Sequence, residues 1–142
     1  MVSGLQALGA TDPNDWSGIR DQLVDFTIDA GQIPYTVAPP NGYPDVSGFW
    51  ISSPSMLTRF DIAQTLAYHP PLVDRIRNRS GTDGSDPIAT VDAVAAVIVP
   101  GGLGNSSRTA VLDHVAANAM TLDGRISAAA HLIMCSPEFV RY

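Results

Sequence analysis

Asp86–Val99 reads DPIATVDAVAAVIV, and the architecture of the whole chain turns on whether these fourteen residues form a helix or a strand. Valine and isoleucine favour sheets, and VAAVIV alone fits a buried strand. Three features outweigh that. Asp86 followed by Pro87 is a helix start, an acceptor side chain for orphaned amides and then a residue whose fixed φ suits the first turn. Alanines, the best helix formers, fill the gaps. Ile88, Val91, Val94 and Ile98 recur at spacings of three and four, and the run is longer than a typical strand. The stretch is read as a helix.

Outward from it, the same punctuation recurs. Ser53-Pro54 opens a helix with Met56, Phe60, Ala63 and Ala67 on one face and Leu57 and Leu66 beside it. Pro70 and Pro71 end that helix near His69. LVDRIRNR then forms a short helical turn, and Ser80–Ser85, SGTDGS, reads as a flexible linker. Upstream, Asp12 and Pro13 start a helix carrying Trp16, Ile19, Leu23, Phe26 and Ala30, stopped by Gly31. Downstream, the turn PGGLGNSS (Pro100–Ser107) precedes a helix near 107–119 with Val111, Leu112, Val115 and Ala119, capped by Asn105 or Ser106. Asp123 caps a last helix, ISAAAHLIMC, and Ser136-Pro137 starts a final turn. With no convincing strand, the expectation is an all-α fold: one domain over 1–142, a compact bundle of five to six helices. A long proline, glycine and aromatic loop joins the first two helices.

Composition narrows the class of function. The 142 residues are 45% hydrophobic and 15% charged, enough to bury one core. The formal charge is −6 and all eight basic residues are arginines, an acidity that argues against a general nucleic-acid binder. Cys135 is the single cysteine, so there is no internal disulfide. The longest apolar run, Val91–Val99, is interrupted by Asp92 and is too short to span a membrane. The N-terminus MVSGLQALGA has no cationic segment before an apolar one, so the chain as given reads as cytoplasmic.

Several segments together resemble one family. PPNGYPDVSGFWISSPSMLTRFDIAQTL (Pro39–Leu66), VIVPGGLGNSSRTAVLDHV and the closing RISAAAHLIMCSPEFVRY are similar to the C-terminal region of the bacterial family called domain of unknown function 1800. The likeness runs in order over roughly residues 5 to 142. It implies architecture and no reaction, since the family brings no established chemistry. Family members are usually longer and often exported, so the resemblance implies a detached C-terminal segment. Helix faces that would meet the missing body then become apolar patches, and the expected outcome is a homo-oligomer, most simply a dimer.

Chemistry, if present, has to come from few residues. His131 and Cys135 are four apart on one helix face, and Asp113 and His114 stand on the preceding helix, so the four side chains form a candidate metal site. Each alone is also an ordinary packed or exposed residue. His69, with Asp61 and Asp74 nearby in sequence, is a second candidate ligand, or simply a cation suited to a helix C-terminus. Arg75 and Arg79 share a face and are candidates to hold a phosphate or carboxylate, or else form a solvated surface. Arg59 is read as pinning the aromatic loop through Tyr43, Trp50 or Asp45. PGGLGNSS lacks the lysine and spacing of a P-loop, and no serine–histidine–acid set or paired glycosidase carboxylates stand out among thirteen aspartates and one glutamate. Two expectations follow. One is a small hydrolase of phosphoesters or phosphodiesters using a divalent ion, zinc, manganese or cobalt, to activate water, with Arg75 or Arg79 assisting. The other is a non-catalytic helical packing or assembly module.

Overall fold

In the computed structural model, residues 16, 18–29, 53–83, 85–118 and 121–140 are described. They form seven helices and no strand. The order is α1 (Arg20–Asp29), α2 (Ser53–Ala67), α3 (Pro70–Ser80), α4 (Pro87–Ile98), α5 (Asn105–Asn118), α6 (Leu122–Met134) and α7 (Pro137–Val140).

The decisive stretch is α4. The Asp86 carboxylate accepts from the amides of Ile88 at 3.1 Å and Ala89 at 3.3 Å, which satisfies two of the orphaned first-turn donors. Thr90, Val91, Val94, Ala95 and Ile98 are buried, a stripe with helical rather than two-residue period. Ile88, in the first turn, is exposed and drops out of the expected apolar face. Thr90 is buried yet satisfied: its hydroxyl donates to Asp86 O at 2.7 Å and lies 3.1 Å from Thr82 Oγ1.

α6 is the axis of the bundle. It packs against α2, α3, α4, α5 and α7. Buried side chains run almost around it, from Ile126 through Ala130 and on to Ile133 and Met134. The three consecutive alanines keep its surface low, so neighbours approach on several sides at once. Ile126 and Ile133 meet Leu66, Leu72, Ile76, Val91, Val94, Val111 and Val115 in one core cluster. Fully burying each large aliphatic side chain contributes about 1.5–3 kcal/mol.

Three expectations change. LVDRIRNR is no brief turn but part of α3, eleven residues with Leu72, Val73 and Ile76 buried. Pro70 and Pro71 end one helix and also supply the first two positions of the next, where no amide is needed. Gly81 closes α3 at φ 66, its amide donating to Arg77 O at 2.9 Å. On α2 the buried stripe is Ile62, Ala63, Leu66 and Ala67, whereas Leu57 is 62% and Phe60 37% exposed. At the start of α6, Thr121 rather than Asp123 is the cap, with its hydroxyl accepting from Gly124 N at 3.0 Å. Asp123 lies in the first turn instead, where its charge suits the helix dipole.

In the Ser80–Ser85 segment, Ser85 donates its amide and hydroxyl to Asp83, which holds that carboxyl below its ordinary range. Arg125 of α6 donates to Ser85 O at 2.8 Å. α1 contributes no fully buried residue; Ile19 just before it is buried, with Trp16, Leu23 and Phe26 half-buried against the core. The expected start of this first helix at Asp12 and Pro13, and the loop with Tyr43, Asp45, Phe49 and Trp50, lie outside the described residues.

Candidate functional site

The residues expected to bind metal are divided between burial and surface. His131, in the last turn of α6, is half-buried, and its ring meets Tyr68 edge-on with centroids 6.3 Å apart. Burial lowers its pKa from the ordinary 6.5, and the nearby imidazole of His114 lowers it further. α5 and α6 pack against one another, and the charge of His114 is felt at His131. His114 itself is exposed, with Asn118 Nδ2 3.5 Å from its Nδ1, and Asp113 is exposed beside it. Cys135 is the C-terminal cap residue of α6, half-buried, and burial pushes its thiol above the ordinary value. Among the described residues, no group of three or more histidine, cysteine, aspartate or glutamate side chains is placed to hold a metal ion.

His69 stands two residues past the end of α2, near where the sequence placed that end, and is also the N-cap residue of α3. α2 ends at Ala67 and α3 begins at Pro70, so His69 is the extended, buried hinge between them. Its amide donates to Leu66 O, and its carbonyl accepts from Leu72 and Val73. Asp61 is exposed, and Asp74 pairs with Arg77 at 2.9 Å. Arg75 is half-buried and Arg79 exposed on α3. Arg77, between them, pairs with Asp74 and reaches across to Asp123 of α6.

The most developed polar site is one the sequence reading passed over. Glu138, the only glutamate, reaches from α7 to the start of α5. Its Oε1 accepts from Gly104 N at 3.0 Å, and the Ser107 hydroxyl lies 2.9 Å from Oε2 and 3.1 Å from Oε1. Hydrogen bonds from its own backbone, Ser107, Gly104 and Ser136 outweigh desolvation and hold the carboxyl below its usual range. α5 begins at Asn105, and a carboxylate from another helix takes the amide of Gly104 just before that start. The next residue, Arg108, donates from Nε and Nη2 to both oxygens of Asp92 on α4, each at 2.7 Å, a forked pair that depresses Asp92. The available signal was a lone glutamate after Ser136-Pro137 together with a glycine-rich turn before a helix; what the sequence lacks is any sign that the two ends meet.

These polar groups tie helix ends and neighbouring helices of an all-α bundle. The chain belongs to the family described as Protein of unknown function (DUF1800), whose model matches residues 3–141. No curated protein and no solved structure matches it. No helix among the described residues is long and apolar enough to cross a membrane.

Proposed function

We propose that this chain is a non-catalytic helical packing or assembly module that associates through the outer faces of α1 and α2. The observation that carries this reading is the set of large apolar side chains standing in solvent there. Val24 is 54% and Ile28 49% exposed, four residues apart on α1; Leu57 and Phe60 are exposed on α2, and Tyr68 just past its end. Large apolar side chains left in water on two helices that pack together are costly there and favour association. The simplest partner is a second copy related by a twofold axis. Sedimentation equilibrium on the purified protein tests this: a dimer is expected, and Val24→Asp combined with Leu57→Asp should give a monomer with unchanged helicity. A wild-type protein that stays monomeric at high concentration would remove the proposal.

A second reading keeps the divalent-metal hydrolase, favoured by one observation, the packing of α5, which carries His114, against α6, where His131 and Cys135 lie one turn apart. Zinc, manganese or cobalt held there would activate water toward a phosphoester, with an arginine such as Arg75 or Arg79 neutralising the phosphoryl oxygens. Elemental analysis and chelator-sensitive turnover of chromogenic phosphate esters test it. Absence of both, or unchanged turnover in His131→Ala and His114→Ala, defeats it.

A further inference from the structure

The closing helix α7 is four residues long and cannot persist by itself, because so short a helix makes too few internal bonds to offset its ordering. Besides its contacts with α6, two attachments hold it. Phe139 packs against the core cluster, and the Glu138 carboxylate takes the Gly104 amide and the Ser107 hydroxyl at the start of α5. The fit at Gly104 is close: a Cβ there would stand 2.6 Å from Glu138 Oε1.

We propose that α7 is a latch, closed by the negative charge of Glu138 on the start of α5 and opened when that charge is removed, carrying Phe139 off the core as it leaves. The donors on the carboxylate are neutral: the Gly104 amide and the hydroxyls of Ser107 and Ser136. Of the charged groups on adjoining elements, Arg108 of α5 is bound to Asp92 of α4. The last turn of α6 carries His131, and Cys135 caps it. The positive end of the α5 dipole therefore meets a carboxylate supplied by α7, and an uncharged side chain at 138 loses most of that attraction.

The consequence is local. The latch joins α7 to α5; α7 also touches α6, but α6 keeps its separate packing against α2, α3, α4 and α5. Opening exposes the seat of Phe139 without unfolding the bundle, a sub-global opening of the kind hydrogen exchange resolves.

Amide exchange at constant neutral pH on the wild type, Glu138→Gln and Ser107→Ala tests the latch. Protection at the Gly104 and Phe139 amides should fall about tenfold in both variants, with the α6 amides of Ala129 and Ala130 unchanged. Equal loss of protection across α6 would make Glu138 a contributor to global stability and overturn the latch. Unchanged protection at Gly104 and Phe139 in both variants would overturn it as well.

Discussion

Glu138 Oε1 lies 3.0 Å from the Gly104 amide, and a methyl group on Gly104 would lie 2.6 Å from the same oxygen. The approach of one side chain, and not the backbone conformation, is what makes this position tight. Because the obstructing atom ends a flexible side chain, Gly104→Ala should fold, with the carboxylate displaced and Tm lowered by a few degrees. In a Glu138→Gln background the same change should cost clearly less, since the contact it disturbs is already weakened. Thermal denaturation of the four proteins of this double-mutant cycle measures that coupling, and strict additivity would mean that the two residues act independently.

The central position of α6 predicts a steep dependence of stability on side-chain volume. Ile126 and Ile133 are completely buried, whereas Leu122 at the start of the same helix is exposed. Ile126→Ala or Ile133→Ala should each destabilise by about 2–5 kcal/mol through lost burial and the cavity left behind. Leu122→Ala should fall within roughly 0.5 kcal/mol of the wild type. Urea unfolding with a common slope gives these differences.

Helix identity was legible wherever cap chemistry and periodicity agreed. Asp86-Pro87 specified α4 correctly against the β propensity of its valines, because a side-chain acceptor at the cap is a local, single-residue decision. Which face of α2 is buried was less legible. Met56, Phe60, Ala63 and Ala67 make an apolar face by spacing, yet the residues buried among the neighbouring helices α1, α3 and α6 are Ile62, Ala63, Leu66 and Ala67. The polar site escaped for a related reason. Glu138 and Gly104 are 34 residues apart, and no spacing rule links two loop ends that only tertiary packing brings together. His131 and Cys135, by contrast, were paired by the i, i+4 rule, which describes one helix and is silent about what faces it.

Asp86 supplies a further test, because its carboxylate does the work that the helix start needs. Asp86→Ala should destabilise by about 1 kcal/mol, leaving the Ile88 and Ala89 amides without their acceptor. Asp86→Asn should recover most of the loss, since the amide oxygen also accepts. Denaturant titration of the pair distinguishes capping from charge: equal losses in both would assign the effect to charge alone.

Cys135 is half-buried and its thiol is pushed up by burial, so the thiolate that reacts is scarce at neutral pH. Native protein should react slowly with a disulfide reagent, and protein in denaturant should react fast. Rates followed at pH 7 check this, and comparable rates in the two states would show that the thiol is open in the native bundle.

The half-buried His131 gives stability a pH dependence whose sign is fixed. Its folded pKa lies below the ordinary 6.5, so the native state binds the proton less readily than the unfolded chain does. The stability it contributes is fully present above the unfolded value and declines as pH falls from there through the folded value. Burial is the larger cause and the neighbouring His114 the smaller. His131→Gln should therefore flatten the decline between neutral pH and the mildly acidic range, and His114→Gln should reduce it only in part. Acidic groups act lower down. Asp92 and Glu138 are also held below their ordinary range, so their share of stability persists above the unfolded carboxyl value and is lost on further acidification. Unfolding free energies measured across pH 3 to 8 should thus fall in two stages on acidification, the first removed by His131→Gln and the second left in place. A first stage that survives the substitution would show that His131 is as readily protonated in the bundle as in the unfolded chain.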